Sequence, residues 1–145
     1  MDAEGARAVA TSVGVMFHEV HETLREQVRG IDKGTLNWSP LPKANSMAVL
    51  ITHLLGSERE MLRQLRLMAT DRDRPSEFKV ESDSAELLAL IDRVDNEMEE
   101  HIAALTAADL TEARPRGTHE PRPGIEWLVS IYGHVREHLA QIELT

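Results

Sequence analysis

His134 and His138 stand four residues apart near the end of the chain, in Gly133-His-Val-Arg-Glu-His-Leu-Ala-Gln-Ile142. On a helix that spacing puts both imidazoles on one side, one turn apart, where they can grip one ion. Imidazole nitrogen is the commonest protein ligand for divalent transition metals such as zinc, nickel and ferrous iron. His53 and Glu58 form a second anomaly upstream. Glu58 projects from the middle of an apolar helical face, between Leu54 and Met61/Leu62. A carboxylate there must be paired, hydrogen-bonded or near a metal, because burying it bare is costly. His53 sits one flank over, and Gly56 and Ser57 beside it leave room for another group to approach. Three histidines from two packed helices would hold one face of an ion and leave its other positions to water or substrate, as in a catalytic rather than a structural site. A metal so placed acidifies a water or a thiol and polarises a carbonyl.

Two other metal patterns compete for these residues. His134-Val-Arg-Glu-His138 matches the H-x-x-E-H pattern of inverted zinc proteases, with Glu137 as the general base. Too little sequence follows His138 to carry a downstream acidic ligand, so that reading is weak. A carboxylate-bridged di-iron bundle needs paired Glu-x-x-His motifs, and the chain has none.

The elements that must position these groups are helices. Ile125, Leu128, Val129, Ile131, Tyr132, Val135, Leu139 and Ile142 recur at steps of three and four, which predicts an amphipathic last helix running to Thr145. Pro123 suits its first turn, where an N–H would be unpaired anyway. His134 and His138 fall on the flank of its buried stripe. A first helix is predicted from about Ala6 to Arg29, with Val9, Val13, Met16, Val20, Leu24 and Val28 as its stripe and Phe17 beside it. His18 lies nearly opposite that stripe, as a solvated residue would, and His21 lies at its edge. The second helix, capped by Asn45 or Ser46, spans Met47 to about Ala69. The third opens at Asp83, followed by Glu86 in the manner of a capping box, and runs to about Leu105. His101 is on its apolar side, which suggests a structural, paired role.

Three connectors join them. Ile31–Asn45 is a loop expected to pack down through Leu36 and Trp38. Residues 70–82 form a polar, proline-broken surface loop, and residues 106–122 form another loop. Four helices of this length, each with one apolar face, make an all-α four-helix bundle. The long connectors mean that an up-down-up-down order cannot be assumed.

Composition narrows the function classes. The chain has 145 residues, 41% hydrophobic and 28% charged, which supports one domain with a proper core. Its net charge of −9 repels phosphate backbones and anionic lipid, so neither nucleic acid nor a membrane surface is an expected partner. There is no cysteine, which removes disulfides, Cys-ligated zinc and a protein thiol nucleophile. No signal peptide and no apolar run near the ~20 residues of a membrane span are visible, so a cytoplasmic location is expected.

The segment Thr35-Leu-Asn-Trp-Ser-Pro-Leu-Pro-Lys-Ala-Asn-Ser-Met-Ala-Val-Leu-Ile-Thr-His-Leu-Leu-Gly-Ser-Glu58 and the ending Gly133–Ile142 resemble the DinB/YfiT-like family. Members have a W-x-P loop, a Ser-rooted helix with His-Leu and a nearby Glu, and a closing H-x-x-x-H-x-x-Q-I helix. The resemblance covers essentially the whole chain. It implies a four-helix bundle of the DinB/YfiT type, often a dimer. It also implies a divalent metal, commonly nickel or zinc, on His53, His134 and His138. Glu58 is expected to orient a ligand or tune the site from behind. The wider superfamily includes thiol-dependent S-transferases and proposed hydrolases. A small-molecule substrate is therefore expected, with an external low-molecular-weight thiol in the transferase version. The alternative is a non-catalytic dimerisation or stress-response module with a vestigial site. One departure is Pro121-Arg-Pro-Gly124, where relatives carry small polar residues before the last helix.

Overall fold

The structure is a computed structural model and describes residues 1–144, so Thr145, the expected end of the last helix, lies outside the described residues. In chain order it contains α1 (Ala3–Val28), α2 (Lys33–Leu36), α3 (Met47–Leu65), α4 (Arg74–Glu77), α5 (Ser84–Ala104), α6 (Ala107–Thr111), β1 (Ala113–Arg116), β2 (His119–Pro123) and α7 (Gly124–Glu143). The four long helices form the bundle anticipated from the apolar stripes. Their starts carry side-chain caps where Ser or Asp precedes the first turn. Asp2 Oδ1 accepts from the Gly5 N–H at 2.7 Å, Ser46 Oγ from Val49 at 3.1 Å and Asp83 Oδ1 from Glu86 at 2.8 Å. Pro123 stands just before α7, which has no side-chain cap.

The packing order is not a chain of neighbours. α1 lies chiefly on α5 and α3 on α7, with α3 also meeting α5. Their apolar faces merge in one core that includes Phe17, Leu24, Ile51, Leu54, Leu62, Ile91, Met98, Leu128 and Val135. Two stripes are rotated from the sequence expectation. In α1, Phe17 is fully buried while Met16 is 38% exposed; in α7, Trp127 is buried while Val129 is 66% exposed. Aromatic volume decides both cases, because a large ring gains more from burial than the neighbouring aliphatic chain. No described helix is long and apolar enough to cross a membrane.

The connectors hold more structure than their composition suggested. α3 stops at Leu65 rather than near Ala69. Leu67 takes a left-handed φ of +56°. Its N–H bonds the Gln64 carbonyl at 3.1 Å, while that of Met68 bonds Arg63 at 2.9 Å. This pair of bonds closes the helix end and leaves Met68 exposed. In the first connector Leu36 is buried as expected, but Trp38 is 61% exposed.

Residues 106–122 are not a loop. They form α6 and an antiparallel hairpin in which Arg114 pairs with Arg122 and Arg116 with His119. Arg114 pins this hairpin to the bundle. Its Nε donates to the Leu65 carbonyl at 2.8 Å, and its own carbonyl accepts from Trp127 Nε1 at 2.8 Å. A Cβ at Gly124 would lie 1.8 Å from the Asp109 carbonyl oxygen, so glycine is what lets α6 meet the start of α7.

Candidate metal centre

Because α3 lies on α7, His53 is brought to His134 and His138. The ring centroids of His134 and His138 are 4.4 Å apart, and His53 is 5.8 Å from the first and 5.0 Å from the second. One ring nitrogen from each lies within 4.8 Å of the others. The Nε2 atoms of His134 and His138 are 3.1 Å apart. Two nitrogens ~2.1 Å from one ion at a right angle stand about 3.0 Å apart, so this pair already has the spacing of neighbouring ligands. His53 is buried, whereas His134 and His138 are half-buried on the outward flank of α7.

Two of the rings are held from behind. His53 Nδ1 lies 3.1 Å from Glu77 Oε1, and an Nδ1–H donated to that carboxylate leaves Nε2 as the free lone pair. Glu77 is in turn clamped by Arg72, whose Nε donates to Oε2 at 2.9 Å and whose Nη2 donates to Oε1 at 2.8 Å. The same Nη2 reaches Ser57 Oγ at 3.0 Å. A Cβ at Gly56 would stand 2.1 Å from Glu77 Oε2, so the gap foreseen beside His53 is where Glu77 enters. On α7, His138 Nδ1 donates to Gln141 Oε1 at 2.9 Å, aiming its Nε2 at His134.

The electrostatics favour neutral rings. Burial lowers the pKa of His53, and the charges of His138 and Arg72 add to that despite Glu77. Burial likewise lowers His134, helped by His138, His53 and Arg116. A neutral imidazole keeps the lone pair that a metal requires. The donor set is all nitrogen, which suits zinc, nickel or ferrous iron and not the oxygen-seeking calcium or magnesium. The three residues therefore fit a borderline divalent ion.

Residues 16–142 match the family model of the DinB superfamily. The chain belongs to the DinB superfamily. Two solved DinB-like proteins share the fold. One, YjoA from Bacillus subtilis, superposes with a TM-score of 0.72 at 16% identity, covering 92% of this chain and 88% of its own. The other, from Bacillus cereus ATCC 10987, gives a TM-score of 0.72 at 15% identity, covering 88% of this chain and 84% of its own. At these identities the likeness speaks for the fold. No curated protein matches the chain.

Glu58, expected beside the DinB-type histidines, forms no hydrogen bond to any of the three. It is fully buried and faces His21, whose Nε2 lies 3.0 Å from Oε1 and 2.8 Å from Oε2. His21 Nδ1 lies 2.6 Å from Asp95 Oδ1. Asp95 also meets His18 at 3.2 Å and Arg25 at 3.2 Å. Glu58 is therefore half of an ion pair joining α3 to α1 and α5. His18, expected to be solvated, is half exposed and touches Asp95. His101 is buried with Arg66 Nη1 2.9 Å from its Nδ1, a structural pairing. A second trio, His18, Asp95 and Glu99, also lies within ligand spacing, but Asp95 is already engaged by His21 and Arg25.

Glu77 and Arg72 were missed because they lie in what reads as a polar surface loop. Two signals were present. Asp73 followed by Pro75 is a helix start, and Asp73 Oδ1 does accept from the Ser76 N–H at 3.4 Å. Gly56 had already marked an approach, without saying from where.

Proposed function

We propose that this chain is a metal-dependent enzyme in which His53, His134 and His138 hold one divalent ion, nickel or zinc first and iron next. It acts on a small molecule as a thiol-dependent S-transferase or as a hydrolase. The observation that carries this reading is the convergence of three imidazoles within 4.8 Å on the half-open flank of α7. A structural zinc site would be closed by a fourth protein ligand, and no cysteine or carboxylate completes this trio among the described residues. When bound, such an ion lowers the pKa of a thiol or water and polarises an electrophile.

The residues of the chain divide the remaining work. Glu77 and Gln141 fix two ring orientations, and Arg72 fixes Glu77. Burial keeps the His53 and His134 rings neutral. With no cysteine in the chain, a thiol nucleophile must be a separate small molecule. A cytoplasmic location and a homodimer belong to the same reading, with Val15 and Met16 on α1 as exposed apolar surface available to a second copy. The acidic surface supports neither nucleic acid nor membrane as partner.

Elemental analysis of untagged protein tests this directly, beside the His138→Ala variant. About one nickel, zinc or iron per chain is expected, and almost none in the variant. Turnover of electrophiles by loaded protein then separates the two reactions: dependence on added thiol supports the transferase, and thiol-independent turnover supports the hydrolase. Failure to take up metal even when it is supplied would leave a non-catalytic helical interaction module.

A further inference from the structure

Arg116 is out of place electrostatically. The chain carries 25 acidic residues against 16 lysines and arginines, so a partly buried arginine has no shortage of carboxylates to pair with. Arg25, Arg59, Arg72 and Arg114 each do so. Arg116, at the end of β1, is also partly buried, yet its side chain forms no hydrogen bond and no ion pair among the described residues. Its guanidinium lies over the Trp127 ring, 5.7 Å from the centroid. Glu60 is the carboxylate whose charge reaches it, but Glu60 is bonded to Arg72 at 3.4 Å. Burial lowers the pKa of Arg116, as expected for a cation without a bonded anion.

Its position gives this a use. Trp127 and His134 are seven residues apart on α7, which is two turns along one face. Arg122, on the facing strand, places a second guanidinium 5.4 Å from the Trp127 centroid. A guanidinium drawn to an aromatic ring and bonded to no carboxylate keeps its N–H donors available, and their fork matches the two oxygens of a carboxylate.

We infer that Arg116 is the recognition residue for a carboxylate on the small molecule that occupies the three-histidine site. The inference rests on that site being the substrate site. It narrows the substrate, or the thiol that accompanies it, to a carboxylic acid, with the β1–β2 hairpin as the specificity wall.

The test compares two ligands with the same thiol and different charge, 3-mercaptopropionate and its methyl ester, by calorimetry on the zinc-loaded chain. The acid should bind about tenfold to a hundredfold more tightly than the ester, as expected for one charge-assisted contact. Arg116→Gln should weaken the acid alone and erase the difference, while Arg116→Lys should keep part of it. Equal binding of acid and ester, or a preference that survives Arg116→Gln, overturns the inference. If the chain takes up no zinc, the metal reading falls separately. Propionate titrated against the zinc-free chain then decides Arg116 at the Trp127 indole N–H resonance: a shift abolished by Arg116→Gln supports the inference, and no shift overturns it.

Discussion

Two groups of histidines in this protein show what surroundings do to one side chain. His21 lies in the core between two carboxylates, Glu58 at 2.8 Å and Asp95 at 2.6 Å. Burial opposes its charge, but the hydrogen bonds and charges of Glu58 and Asp95 outweigh burial and raise its pKa. Burial also raises the carboxyl of Glu58 against the pull of His21. Asp95, despite partial burial, is lowered by His21, His18 and Arg25. We assign the shared proton to His21, because it faces two carboxylates at once. Both of its nitrogens are then donors and neither can bind a metal. His53, His134 and His138 have the opposite setting: one carboxylate behind, other imidazoles in front and solvent on one side. The first group joins helices, and the second is left with lone pairs.

The most direct way to break this contrast is to remove one member of each group. His138→Ala should take metal content from about one per chain to near zero while changing stability by no more than about 1 kcal/mol, since the residue is only half-buried. His21→Leu should do the reverse. It strands Glu58 in the core without its partner and is expected to cost about 3–5 kcal/mol, measured by urea unfolding. Its metal content should match that of the parent. Glu58→Leu added to His21→Leu should recover part of the loss, because both buried partners are then gone. Metal loss in His21→Leu at a temperature where the protein is still folded would mean that the groups are not independent.

The contrast also explains what the sequence could and could not reveal. The pair at His134 and His138 is legible because both ligands sit on one helix and the spacing is local. Glu58 was visible as a buried acid for the same reason, but its partner was not. At five residues from His53 it points elsewhere on α3, toward His21 on a helix packed from the other side of the bundle. Periodicity places a residue on a face without saying which helix that face will meet. Glu77 is the converse case. It lies in a charged segment that looks solvated, and only the fold of α4 over Gly56 buries it. The four long helices were legible from their stripes, while β1 and β2 were not. Their pairing rests on Arg114 reaching Leu65, a contact across 49 positions.

Gly56 sharpens the comparison from the side of the carboxylate. Gly56→Ala should push Glu77 away from His53, because the new Cβ would overlap its Oε2. Loss of a carboxylate behind a ligating histidine typically weakens metal binding about tenfold to a hundredfold. Glu77→Gln should weaken it less, since the amide oxygen can still accept from His53 Nδ1. Competition with a chromogenic chelator measures both. Undiminished affinity in Gly56→Ala would show that Glu77 does not set the ring.

The smallest expected effect is in the pH dependence of stability without metal, where the two groups should act on opposite sides of neutrality. His21 has a folded pKa above the ordinary imidazole value of 6.5, so the folded chain keeps a proton that the unfolded chain releases. Its contribution is complete below that value and is lost as pH rises through the folded pKa. His53 and His134 have folded pKa values below 6.5, so the unfolded chain takes protons that the folded chain declines. Their effect on stability is absent above that value and becomes a loss as pH falls toward the depressed values. Urea midpoints across this range should therefore pass through a maximum. His21→Leu should flatten the alkaline side alone, and His53→Ala combined with His134→Ala should flatten the acid side alone. An alkaline decline that persisted in His21→Leu would take the shared proton away from His21 and put it on another group.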